Sequence, residues 1–111
     1  MISGVNKTIG GDTETFRMTT RAMMAIEQGS GKGIVEMMQG LESGFRITDL
    51  VLILSECGGD GAGMGADRAS EIVDEIGVSE AGELLGQIAE AAFPEAKGQT
   101  AKNRKGAARS K

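Results

Sequence analysis

A thiol, a run of carboxylates and two glycine-rich stretches are where this chain could do chemistry. Cys57 is the single cysteine, and the chain has no histidine and no tyrosine, so most acid–base, nucleophilic and metal-binding constellations are missing. No basic residue lies near Cys57 in sequence to stabilise a thiolate, and the apolar run Leu50 to Leu54 precedes it, so it reads as a buried structural cysteine. Glu71, Asp74 and Glu75 could pair as acid and base in glycoside hydrolysis, but they fall on the polar side of an amphipathic helix, where a solvated face is the simpler account. Gly31-Lys32 ends like a phosphate loop. The glycine that such a loop needs five residues earlier is Ile26, however, and Gly33 stands in place of the hydroxyl residue. Gly61-Ala62-Gly63-Met64-Gly65-Ala66 fits a loose G-x-G-x-x-A dinucleotide turn, yet it follows a helical run rather than a strand and reads as a flexible loop. No cofactor follows from any of these.

Charge narrows the partners. Residues 1–93 hold six basic and fifteen acidic side chains, whereas residues 94–111 hold six basic and one acidic. The acidic body is expected to avoid nucleic acid, while the basic segment suits an acidic surface, the chain's own body included. That segment, with Lys97, Lys102, Arg104, Lys105, Arg109 and Lys111, lacks apolar periodicity and aromatic residues for base stacking. It is expected to be disordered when free. Gly77-Val78-Ser79, between Ala69 and Ile88, resembles the turn of a helix-turn-helix. The reading helix would then present Glu80, Glu83 and Glu90 to phosphates, so two packed helices are the simpler account. A lone cysteine fits a reducing cytoplasm. No stretch approaches the ~20 apolar residues of a membrane span, and the N-terminus lacks a signal-peptide pattern, so a soluble intracellular protein is expected.

The periodicities predict an α+β domain that is mostly α, covering residues 1–93. Val5–Ile9 and Thr13–Met18 flank Gly10-Gly11-Asp12 as a hairpin, with Phe16 and Met18 facing the core. A helix begins near Thr20, capped by Thr19 or Thr20, carries Ala22, Met23 and Ile26 on one face and closes at Gly29. Ile34, Met37, Met38 and Leu41 mark a second helix. Thr48 is placed to cap a third, whose apolar run Leu50–Leu54 predicts a central helix enclosed by its neighbours; a buried strand is the competing account. Gly58–Gly65 predicts a loop. A helix over 66–76 then ends at Gly77, and Ser79 is placed to cap a last one that Pro94 stops after Phe93. The expectation is one hairpin and about five short helices in a compact bundle, with 94–111 as a separate basic tail.

This order resembles the tail assembly chaperones of gene transfer agents and long-tailed phages. The segment Thr20-Arg21-Ala22-Met23-Met24-Ala25-Ile26-Glu27 after the hairpin, then Ile47-Thr48-Asp49-Leu50 to Leu54 followed by Gly58-Gly59, carries the resemblance over about residues 4–93. It implies a non-enzymatic role in the cytoplasm of the bacterial host. Such a chaperone coats the long helical tape measure protein, with self-association along it, until the major tail tube protein polymerises around it, and is absent from the finished particle. Neither nucleic acid nor membrane is an implied partner. The resemblance carries over no site residue. A Met-rich surface suits changeable helix-in-groove contacts, which puts Met23, Met24, Met37 and Met38 forward as the protein-binding groove, core filling being the competing account. Lys102, Arg104 and Lys105 would add an electrostatic contact. The rival function is a small helix-turn-helix DNA-binding regulator using residues 69–88 and the basic tail.

Overall fold

Two consecutive glycines with positive φ, Gly10 at 58° and Gly11 at 90°, form the tight turn whose twist matches a right-handed hairpin. The computed structural model describes residues 2–94, and in it β1 (Val5–Ile9) pairs antiparallel with β2 (Asp12–Phe16), from Ile9 opposite Asp12 to Val5 opposite Phe16. β2 takes in Asp12 and stops at Phe16, two residues before the expected end. Beyond it Arg17 bonds its backbone to the Cys57 carbonyl rather than to β1. The expected disordered tail and the candidate contacts Lys102, Arg104 and Lys105 lie outside the described residues.

Five helices follow the hairpin: α1 (Thr20–Ser30), α2 (Ile34–Gly40), α3 (Ile47–Cys57), α4 (Ala66–Ile76) and α5 (Val78–Ala92). A single 3-10 turn, Leu41–Ser43, extends α2. Thr19 caps α1 by accepting the Ala22 N–H at 3.1 Å. The helix runs past Gly29 and closes at Gly31, which is left-handed and donates to the Glu27 carbonyl. Gly29 serves instead as a contact point: a Cβ there would lie 2.9 Å from Leu52 Cδ1, so its bare backbone lets α1 lie close against α3.

α3 begins one residue before Thr48. Arg46 occupies the capping position, and Asp49 gives its carboxylate to Arg46. Ser79 likewise caps nothing, because Gly77 at φ 91° closes α4 and opens α5 by itself and leaves Val78 and Ser79 helical. The competing strand over Leu50–Leu54 does not form. α3 packs against α1, α4 and α5 and buries Leu50, Ile53, Leu54 and Cys57, so it is the central helix. Around it Phe16, Met18, Ile26, Ile72, Leu84, Leu85 and Ile88 complete one core. Aliphatic and methionine side chains supply nearly all of this volume, as expected for a chain with three phenylalanines and no larger ring. No helix among the described residues is long and apolar enough to cross a membrane.

Candidate functional site

α2 has seven residues, too few to stand without neighbours, and its position is set from outside. Its cap, Gly33, has no side chain to offer, so the Glu27 carboxylate of α1 accepts the Ile34 N–H at 2.8 Å. The stripe Ile34, Met37, Met38 and Leu41 then faces the core, with Met37 buried and the other three half-buried against it. After the 3-10 turn, Gly44 reverses the chain and Phe45 reaches α5. A Cβ at Gly82 would stand 2.9 Å from Phe45 Cζ, so that glycine makes the ring's seat. Arg46 then closes on Asp49 with two hydrogen bonds, Nε to Oδ2 at 3.1 Å and Nη2 to Oδ1 at 3.0 Å. Hydrogen bonding to Arg46 holds the Asp49 carboxyl below its usual range, against the opposing effect of burial. The same bond raises the Arg46 pKa.

Between α2 and this returning segment lies an open cleft of about 490 Å³. Met37, Leu41 and Phe45 line it with apolar surface, while Lys32, Glu36, Arg46 and Asp49 bring charge of both signs. An apolar floor within a charged rim can accept a few side chains of an amphipathic helix. Sequence reading missed Phe45, Arg46 and Lys32. The signal present was Arg46-x-x-Asp49, opposite charges three residues apart at the start of an apolar helix.

The four candidate methionines are split. Met37 lines the cleft and also belongs to the core, at 6% exposed. Met23 and Met38 are half-buried at the edge of the core, and Met24, 57% exposed, stands on the outer side of α1. Met23, Met24 and Met38 do not line this cleft, so the four methionines do not share it.

The other sequence candidates resolve through their hydrogen bonds. A dinucleotide turn offers backbone N–H groups to a pyrophosphate, but those of residues 58–64 in the Gly58–Gly65 loop are already occupied. Gly59 N–H donates to the Glu14 carboxylate, Asp60 N–H to Thr15, Gly61 N–H to Cys57, Gly63 N–H to Gly58 and Met64 N–H to Ser55. Arg21 and Thr19 clasp the loop from outside by donating to the Gly61 carbonyl at 2.9 and 3.2 Å, and Arg17 holds Asp60 at 2.7 Å. The expected flexible loop is therefore a tied one.

Cys57 is buried. Burial, helped by the Glu56 carboxylate and opposed by Arg21, pushes its thiol up to about 12, which leaves it protonated. α4 and α5 meet at Gly77 alone, without the three- or four-residue turn of a helix-turn-helix, and Glu80, Glu83, Gln87 and Glu90 lie on the exposed side of α5. Glu71 pairs with Arg68 at 3.3 Å, and among the described residues no group of three or more His, Cys, Asp or Glu side chains stands ready to hold a metal ion. Comparison of the chain with family models, with curated proteins and with solved structures gave no match.

Proposed function

We propose that this protein is a tail assembly chaperone of the gene transfer agent and long-tailed phage type, acting in the bacterial cytoplasm. Its partner is the tape measure protein, a long helical chain that must stay soluble until tube subunits enclose it. The observation that carries this reading is the cleft beside α2, where apolar Met37, Leu41 and Phe45 lie within a rim of Lys32, Glu36 and Arg46. A chaperone that meets many stretches of one helical chain needs adaptable apolar contact and weak, reversible charge pairing, and this lining offers both. The basic residues Lys102, Arg104 and Lys105 are assigned a secondary electrostatic contact with the tape measure or with the tube protein.

Co-expression with the tape measure protein tests the reading. The expected result is a raised soluble yield of that protein and its co-purification with this chain. An unchanged yield without co-purification rejects the proposal, and salt-sensitive retention of duplex DNA would favour a DNA-binding regulator in its place.

A further inference from the structure

The two edges of the hairpin are unlike. The two-residue turn makes Ile9 and Asp12 the bonded pair that closes it, so Val5, Lys7 and Ile9 direct their backbone groups toward β2 while Asn6 and Thr8 direct theirs away. On β2 the end nearer Arg17 is covered, since the Thr15 carbonyl accepts from Asp60 N–H and Arg17 N–H donates to the Cys57 carbonyl, both at 2.9 Å, which leaves Thr13 as the open outward position of that strand. On β1 the backbone N–H and C=O groups of Asn6 and Thr8 have no partner among the described residues, and both residues are exposed. A short open edge of this kind is a template for one more strand.

We infer that the β1 edge is a self-association surface, on which a second copy of the chain adds its own β1 antiparallel about a two-fold axis at Lys7. The edge complements itself in that register. Asn6 stands opposite Thr8 of the second copy, and each such pair exchanges two backbone hydrogen bonds. On the outer face their side chains repeat a contact the hairpin already makes, where Thr15 Oγ1 donates to Asn6 Oδ1 at 2.8 Å. On the inner face half-buried Val5 stands in register with Ile9 of the second copy, which is already buried in its own core, so the backbone bonds carry the pairing. The two Lys7 side chains face each other at the axis, a juxtaposition that would repel, but each is ion-paired to Glu80 of its own α5, so charges alternate across the seam. A marginal two-stranded sheet thereby becomes a four-stranded one. The inference rests on the sheet edge and is independent of the chaperone reading.

Sedimentation of the full chain from about 1 to about 500 µM tests it. The expected result is a monomer that becomes a dimer as concentration rises. Thr8→Pro removes an outward N–H without touching the β1–β2 ladder, and it should abolish dimerisation while leaving the far-ultraviolet circular dichroism unchanged. Amide exchange in the unaltered protein gives a readout that needs no variant. The Asn6 and Thr8 amides should slow by roughly tenfold or more from the dilute to the concentrated sample, while the Lys7 amide, bonded within the hairpin, changes less. A monomer at every concentration, a dimer that survives in folded Thr8→Pro, or exchange at Asn6 and Thr8 that ignores concentration would overturn the inference. A monomer would leave this edge to an extended segment of some other protein.

Discussion

Two glycine-bearing connections flank the central helix, and they behave in opposite ways. Gly58–Gly65, after α3, carries more glycine, yet the N–H groups of residues 58–64 are bonded to the loop, to α3 and to β2, and Arg17, Thr19 and Arg21 hold it from outside. Gly40–Arg46, before α3, keeps a Gly44-to-Leu41 backbone bond at 3.2 Å and the seat of Phe45 on Gly82, and it borders the open cleft. Glycine content therefore does not measure looseness in this molecule. The side chains that reach a connection do, because each bonded N–H or carbonyl removes a reason for the segment to open.

Matched substitutions sharpen that contrast, with stability measured by urea denaturation followed by circular dichroism, since the chain has no Trp or Tyr to report. At Gly61, φ 91°, an added Cβ would lie 2.4 Å from Thr19 Cγ2 and 3.0 Å from the Arg17 carbonyl, so Gly61→Ala should cost about 3 kcal/mol. At Gly44, φ 117°, nothing stands within 4 Å of an added Cβ, so Gly44→Ala should cost only its conformational strain, about 1 kcal/mol. Equal losses would break the comparison.

Within the cleft, Met37→Ala should cost about 2–3 kcal/mol because Met37 belongs to the core, whereas Met24→Ala on the outer side of α1 should stay within about 0.5 kcal/mol. Arg21→Ala removes bonds to the Gly61 and Glu56 carbonyls from a half-exposed side chain. It should cost about 1–2 kcal/mol and speed amide exchange over residues 59–64 more than over 40–46.

The smallest effect concerns acid. The Asp49 carboxyl is held below its ordinary value of 3.8 by Arg46, so the folded state binds its proton less readily than the unfolded chain. That contribution is whole above 3.8 and is lost as pH falls from there through the lowered folded value. Asp49→Asn should remove this part of the acid sensitivity, seen as a shallower fall in stability below about pH 4.

Much of the fold was legible because it rests on local signals. Gly10-Gly11 announced the hairpin, Gly77 announced the end of α4, and the unbroken run Leu50–Leu54 announced a central helix. The boundaries slipped where a contact distant in sequence decided them. Gly29 resembles a terminator until Leu52 is seen against it, and Thr48 resembles a cap until Arg46 turns to Asp49. The tied loop was hidden for the same reason, since Arg21 and Glu14 lie some forty residues from the groups they bind. The candidate site was less legible still. Methionine content pointed to α2 through Met37, but the cleft depends on Phe45 and Arg46, whose places come from Gly82 and Asp49 in other elements or turns.

The central claim, that the cleft beside α2 receives a helical segment of the tape measure protein, is tested most directly by amide chemical-shift mapping of this chain against helical peptides tiling that protein. The account predicts saturable shifts centred on Lys32, Met37, Phe45 and Arg46, with the outer face of α5 at Glu83 and Gln87 unmoved. Binding that shifts α5 and spares the cleft, or no binding by any peptide, would contradict it.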